Sequence, residues 1–425
     1  AVRGVFPTRR CCGIGRRMNA RGDFDSDRGG SGTSRLLAPV FHRLLDRIDA
    51  GLEEGGIDAH LPDGTQRLLG GRRPGPVPIV TLHRWRALVR LATGGSVGWY
   101  EAWAAGDWSS PDPVPLFDLF MRNRVPLGGA ARAGGWQRLA LRGWHWLRRN
   151  HRTGARRNIA DHYDLGNDFY RLWLDESLTY SSALYRPGDT LETAQTRKLQ
   201  AVLDRTHTAP GDAILEIGCG WGSFAELAAR GGRHVHGLTL SIEQKAAIDQ
   251  RIANAGLNGV TVSLTDYRDA QGSYDAIASI EMVEAVGQRY WPAYLDAITR
   301  LLKPGGHAAI QYIAIADDVF DAYAQSADFI QRYVFPGGML LSERRFRALA
   351  EARGLRWTDT VHFGLDYAET LRDWRDRFDA ADRAGRLPER LDARFRALWR
   401  YYLLYCEGGF RGGGITVAQV TLVKG

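Results

Sequence analysis

Cysteine is scarce: there are four in 425 residues, at positions 11, 12, 219 and 406. Cys11 and Cys12 are adjacent, while Cys219 and Cys406 lie far apart. That spacing supports neither a disulfide framework nor a metal-ligand set, so no metal site is expected, and it suits a reducing compartment. Long apolar runs are also missing. None approaches the roughly 18–20 residues that a membrane-spanning helix needs. The stretch from Ala1 to Arg17 is rich in arginine but lacks the continuous apolar core of a secretory signal. The sequence opens without methionine, and Met18 begins a more ordinary segment. The residues before Met18 are expected either to stand outside the working protein or to form a disordered basic tail.

What the chain has is size, glycine and tryptophan. Its 425 residues exceed a typical domain of roughly 100–200 residues, so two domains are the default. The excess of 56 Lys and Arg over 48 Asp and Glu gives a formal charge of +8. Such a balance suits an anionic partner, either nucleic acid or an acidic membrane surface, and equally suits a merely soluble basic protein.

Residues 19–34 are rich in Gly, Ser and Asp and are expected to be disordered, which sets the tail at 1–34. From Leu36 to Leu52, apolar residues recur at helical spacing. Ile57 to Leu61 alternates and then meets Pro62-Asp63-Gly64, the chemistry of a turn. Residues 83–125 read as helical, broken at Gly94-Gly95 and at Pro111 to Pro115. An amino-terminal, mainly helical domain with a small β element is therefore expected over 35–130.

Residues 131–154 form a candidate linker helix, in which Trp136, Trp144 and Trp146 alternate with Arg138, Arg142 and Arg148. An aromatic face beside a basic one is the profile of an interfacial membrane helix. A linker that packs its tryptophans on the next domain would have the same composition.

Over 155–425 the pattern changes to strands alternating with helices. Strands are expected at Ala213–Ile217, His234–Leu238, Val260–Leu264, Asp275–Ile280, His307–Ile313, Trp357–His362 and Ile415–Val423. Helices are expected at Ser223–Arg230, Ile242–Asn254 and Trp291–Leu302. This order implies an α/β fold with a mostly parallel sheet covered on both faces, and a ligand at the carboxyl ends of its strands. The longer stretches Asp318–Leu341 and Arg372–Trp399 are candidates for a lid or a substrate pocket.

The segment Glu216-Ile217-Gly218-Cys219-Gly220-Trp221-Gly222 runs from a strand into a helix. Its glycines let the backbone turn sharply against a ligand. A glycine-rich turn alone is weak, since dinucleotide enzymes share it. Here the acidic residue precedes the first glycine, the arrangement of the S-adenosylmethionine-binding turn, which favours that cofactor over NAD. After the next strand, Thr239, Leu240 and Gln244 offer hydrogen bonds to ribose hydroxyls. After the third, Asp266 and Tyr267 suit an adenine amino group and ring face.

A specific resemblance joins these motifs. His162-Tyr163-Asp164-Leu165-Gly166-Asn167-Asp168-Phe169-Tyr170, Thr179-Tyr180-Ser181, the glycine turn, Gly237-Leu238-Thr239, Glu284-Ala285-Val286-Gly287, Phe335-Pro336-Gly337-Gly338 and Cys406-Glu407-Gly408-Gly409-Phe410-Arg411 occur in this order. Together they resemble the cyclopropane fatty acid synthase family over residues 155–425. A weaker likeness to its longer members extends to Gly94–Gly98 and Ala105–Trp108. The resemblance implies a Rossmann-like class I methyltransferase fold with a seven-stranded sheet, and a substrate that is a cis double bond in a phospholipid acyl chain. It implies that Tyr180 and Ser181 cover S-adenosylmethionine, with Gly218, Gly220, Thr239, Leu240 and Gln244 beneath it.

An alkene is a poor nucleophile, and its attack on the sulfonium methyl leaves a cation in the chain. The pocket must therefore be dry, aromatic and able to accept a proton. In the family a bound bicarbonate is that base, held among a Cys, a Glu, a His, a Tyr and a late Cys. This chain keeps Glu284, Tyr367 and Cys406 at the matching positions but has Ser182 for the first Cys and Gln311 for the His. Ala285 also replaces the usual His after the Glu. Ser and Gln could still hold a small anion, but Gln cannot relay a proton. Loss of the His shifts the expectation from ring closure toward a methylated or methylene-bearing chain, a branched or furan-precursor fatty acid, with cyclopropane formation the alternative.

Two other classes stay open: a small-molecule or nucleic-acid methyltransferase, and a lipid-binding relative without chemistry. The lack of an Asn-Pro-Pro-Tyr-like motif argues against nucleic acid, and the intact glycine turn argues against loss of chemistry. The expected location is cytoplasmic, peripheral on the inner face of the cell membrane and in contact with anionic lipid. A homodimer and a partner redox enzyme are both compatible with the sequence.

Overall fold

The computed structural model describes residues 32–128 and 165–425, except Ser326. The candidate linker helix 131–154, most of the tail, and His162, Tyr163 and Asp164 lie outside the described residues.

The amino-terminal unit starts with α1 (Gly32–Ala50), so Gly32–Ser34 begin a helix, contrary to the disorder expected of them. Strands β1 (Gly56–His60) and β2 (Gln66–Gly70) form an antiparallel hairpin. Its turn is set by Asp63, whose Oδ1 accepts from Thr65 N at 3.0 Å and Thr65 Oγ1 at 2.7 Å. Then follow β3 (Ile79–Leu82), α2 (Arg86–Ala104), β4 (Trp108–Ser109) and α3 (Val114–Arg122). The small β element is a four-stranded sheet in the order β2-β1-β3-β4. Helix α2 kinks at Gly95, and Trp108 stacks on Trp99 with ring centroids 4.4 Å apart. The buried Asp107 carboxylate draws in Arg84, Arg86 and Arg90.

The larger unit begins with α4 (Asn167–Tyr170) and α5 (Leu191–Arg205). It continues with β5 (Ala213–Ile217), α6 (Ser223–Arg230), β6 (His234–Thr239), α7 (Ile242–Asn254), β7 (Val260–Leu264) and β8 (Tyr274–Ile280). Next come α8 (Trp291–Leu301), β9 (Leu302–Ile315), α9 (Asp317–Ala324), α10 (Phe329–Tyr333) and α11 (Glu343–Glu351). The chain closes with β10 (Leu355–His362), α12 (Gly364–Arg383), α13 (Ala393–Arg411) and β11 (Ile415–Lys424). All seven expected strands form, β9 being longer because Leu302 also pairs with Tyr274, across a register shift that skips residues 303–306.

The sheet order is β10-β11-β9-β8-β5-β6-β7, and β11 alone runs antiparallel to its neighbours. From β5 the chain goes outward through β6 to β7 and then returns to the other side of β5 as β8. That reversal opens a crevice at the carboxyl ends of β5 and β8. Ile214, Leu215 and Ile217 of β5 are all buried, as expected for a strand covered on both faces.

Helix α13 packs along both α12 and α3, and so ties the amino-terminal unit to the larger one. At Gly408 a Cβ would lie 2.5 Å from Phe117 Cβ and 2.6 Å from Val114 O, so only glycine permits this approach of α3. Of the two candidate pocket segments, Asp318–Leu341 lines the central cavity through α9 and α10. Residues 372–399 do not; they belong to the packed α12–α13 pair, so their expected role in a pocket or lid is corrected to that of a scaffold.

Candidate active site

The glycine turn sits at the crevice. Gly218 N and Cys219 N both donate to Leu238 O, at 3.1 and 3.0 Å, which pins the turn against β6. Gly218 has φ 83, and a Cβ there would meet Met282 Cγ at 2.6 Å. At Gly220, with φ 50, a Cβ would point into open space, so the backbone faces the cavity bare. Glu216 is 3% exposed, and its Oε2 has no hydrogen-bond partner among the described residues. Burial pushes its carboxyl up to about 8 against the opposing charge of Lys198. An unpartnered acceptor beside a bare turn fits the ammonium end of S-adenosylmethionine.

Thr239 Oγ1 donates to Gln244 Oε1 at 2.7 Å, and Ser241 Oγ caps α7 by accepting from Gln244 N at 3.2 Å. Asp266 accepts from Arg268 Nε at 2.8 Å and Nη2 at 2.6 Å, which fixes the carboxylate in place. Tyr180, Ser181, Glu216, Gly218, Gly220, Thr239, Leu240, Gln244, Asp266 and Tyr267 all line one cavity. Gly222 does not. It precedes α6 with its Cβ position turned toward Ile248, so its part is helix–helix packing.

The cavity has a volume of about 580 Å³ and its walls are largely apolar. Tyr180, Phe335, Tyr367, Tyr402, Tyr405 and Phe410 give it an aromatic lining. The Tyr367 and Phe410 rings lie 4.5 Å apart, and Tyr180 OH lies 3.0 Å from Tyr402 OH. The amino-terminal unit closes another side with Leu91, Gly95, Phe117, Phe120 and Met121.

Of the five residues expected to do chemistry, Glu284, Tyr367 and Cys406 reach this cavity, whereas Gln311 and Ser182 do not line it. Glu284 follows β8 in a short 3₁₀ turn, and its Oε1 accepts from Ile313 N while Oε2 is buried without a partner among the described residues. Burial, and then the charge of Glu281, push its carboxyl up to about 8. Burial raises the Cys406 thiol well above the usual range, so it stays protonated.

Gln311 and Ser182 are both fully buried and serve Glu281. Glu281 Oε1 accepts from Gln311 Nε2 at 2.7 Å and from Ser182 N at 2.8 Å, and Oε2 accepts from Tyr367 OH at 2.9 Å. Ser182 Oγ turns away to Ala183 O at 3.0 Å. These residues do not fit a bound bicarbonate. The donors that would hold it already close on a side-chain carboxylate, and a second anion would face both Glu281 and Glu284.

Glu281 and Lys198 were not singled out in the sequence. Lys198 is fully buried on α5, donates to Ser181 Oγ, and has its ammonium pulled down to about 8 by burial. Glu281 stands three residues before Glu284, at the carboxyl end of β8, and that position was the available signal. Lys198 gave none, since a lysine in a polar helix looks solvated.

Residues 150–420 match the family model described as mycolic acid cyclopropane synthetase. Tuberculostearic acid methyltransferase UfaA1 of Mycobacterium tuberculosis is 38% identical over 415 residues, covering 91% of each chain. The cyclopropane-fatty-acyl-phospholipid synthase of Escherichia coli is 35% identical over 62% of this chain and 67% of its own. Among solved structures, mycolic acid cyclopropane synthase CmaA1 complexed with SAH and CTAB superposes with a TM-score of 0.60 at 31% identity, covering 63% of this chain and 98% of that one. Coclaurine N-methyltransferase, 19% identical with a TM-score of 0.59, shares the fold alone. The chain belongs to the cyclopropane synthase family of S-adenosylmethionine-dependent lipid methyltransferases.

Proposed function

We propose that the protein methylates the cis double bond of an unsaturated acyl chain in a membrane phospholipid and yields a branched, methyl- or methylene-bearing chain. The observation that carries this reading is the aromatic cavity that runs from the glycine turn to the helices of the amino-terminal unit. A polar substrate would find few partners on those walls, whereas an acyl chain buries apolar surface there at about 25 cal/mol per Å². S-adenosylmethionine, when bound, supplies a sulfonium methyl that the alkene π electrons can take, leaving neutral S-adenosylhomocysteine and a cation in the chain.

The chain's own residues then have three tasks. Glu216, Gly218, Gly220, Thr239, Gln244 and Asp266 would hold the cofactor. Tyr180, Phe335, Tyr402 and Phe410 line the cavity, where their rings would exclude water and stabilise developing positive charge. A base must take up one proton. Gln311 in place of a proton-relaying residue, together with the name of the 38% identical relative, supports a branched rather than a cyclic product. Cyclopropane formation at the same bond is the second reading, favoured by Tyr367, Cys406 and Glu284 at the cavity.

Among the described residues, no helix is long and apolar enough to cross a membrane. The formal charge of +8 supports peripheral contact with anionic lipid. Mass spectrometry of lipids from cells expressing the chain, followed by ozonolysis, tests the product. A methylene-bearing or methylated alkene is cleaved and a cyclopropane is not, so recovery of only uncleaved chains whose mass has risen by one CH₂ would overturn the branched-product reading.

A further inference from the structure

The donors expected to secure a free anion converge instead on one carboxylate. Glu281 leaves β8 with φ 49, a left-handed backbone that disfavours any side chain. That conformation aims its carboxylate back between Ser182, Gln311 and Tyr367. The orientation of Gln311 is fixed from behind, because its Oε1 accepts from Gln419 Nε2 at 3.0 Å and leaves its NH₂ for Glu281. A carboxylate offers about four acceptor positions, and three are taken here. The remaining one lies on Oε2, and Glu281 lines the cavity beside Met282 and Glu284.

We propose that Glu281 is a catalytic residue, whose carboxylate accepts the proton lost by the acyl chain, so that this chain carries its base covalently and does not borrow a free anion. The inference rests on the acyl-chain reading above. One C–H bond of the cationic chain breaks, its electron pair forms the new carbon–carbon bonding pair, and its proton passes to Oε2. A cation and a carboxylate thereby become a neutral product and a neutral acid, and no further reactant is required. The fully buried site favours that neutral acid once formed. Burial raises the Glu281 carboxyl above the usual carboxylate range, which makes it a stronger base, and the Lys198 charge opposes that effect in part. Glu284, the other carboxyl at the cavity, receives one donor, Ile313 N, against the three that converge on Glu281 and hold it in place.

The test uses the full chain, methyl-labelled S-adenosylmethionine and vesicles of a monounsaturated anionic phospholipid, in carbonate-free buffer and with bicarbonate added. Wild type should transfer label equally well in both buffers. Glu281→Gln should keep S-adenosylmethionine affinity, read by calorimetry, and lose about 100-fold or more in turnover. Glu281→Gly removes the carboxylate and suits the left-handed backbone. It should be inactive in carbonate-free buffer and regain about tenfold in rate with bicarbonate or formate. A wild-type enzyme that needs bicarbonate, or a Glu281→Gln enzyme within about threefold of wild type, would overturn the assignment of the base. No label in lipid with wild type would overturn the acyl-chain reading itself, and this inference with it.

Discussion

Consider the substitution Glu284→Gln. The Glu284 carboxyl is pushed from 4.5 to about 8 by burial and by the neighbouring Glu281 charge. Between those values the folded protein holds a proton that the unfolded chain has released. Stability therefore falls as pH rises through this window and is flat outside it, as far as Glu284 is concerned. At 1.36 kcal/mol per pH unit, the cost is about 3 kcal/mol at pH 7 and about 5 kcal/mol above pH 8. Glutamine keeps the acceptor for Ile313 N and has no proton to lose. The variant should match wild type near pH 4.5 and exceed it by about 3 kcal/mol at pH 7. Glu216 shares the window but titrates in both proteins, so it cancels from the difference. Urea denaturation of both proteins across the window measures the gap directly. A gap that does not widen with pH would refute the placement of Glu284 as a buried, protonated acid.

Tyr367→Phe removes one of the three donors to Glu281. Turnover should fall by about 10- to 100-fold with unchanged S-adenosylmethionine affinity, since a hydrogen bond to a charged group is worth about 1.5–3 kcal/mol; single-turnover kinetics and calorimetry separate the two. Gly218→Val places a branched side chain at φ 83 with its Cβ 2.6 Å from Met282 Cγ. It should cost about 2–4 kcal/mol in denaturation and weaken cofactor binding in the same sample. Met121→Trp narrows the cavity from α3. The chain-length profile of labelled lipids should shift to shorter acyl chains while cofactor affinity stays constant.

The sheet was legible because its strands are continuous β-branched and aliphatic runs between glycine-bearing turns, so Ala213–Ile217 and Val260–Leu264 form where expected. The glycine turn was legible for the same reason: its residue types serve the backbone. In the amino-terminal unit, β4 spans only Trp108–Ser109, and a strand that short has no periodicity to detect. Residues 372–399 resembled a lid because they interrupt the strand–helix alternation, and only their packing in the α12–α13 pair assigns them to scaffold. The site was half legible. Motif order found Glu284, Tyr367 and Cys406, but the partner of Gln311 depends on the backbone at Glu281. That backbone carries φ 49, and no sequence pattern announces a left-handed glutamate. Lys198 escaped because burial of a lysine is a property of the assembled core.

The central claim is methyl transfer to an unsaturated acyl chain, and it can be measured in one reaction. The purified chain is incubated with methyl-labelled S-adenosylmethionine and either monounsaturated or fully saturated vesicles of the same phospholipid head group, and label in the saponified fatty acids is counted. Label in the fatty acids of the unsaturated vesicles only is the expected result. Label confined to the head-group fraction or to soluble products, or equal label from saturated vesicles, would contradict the account.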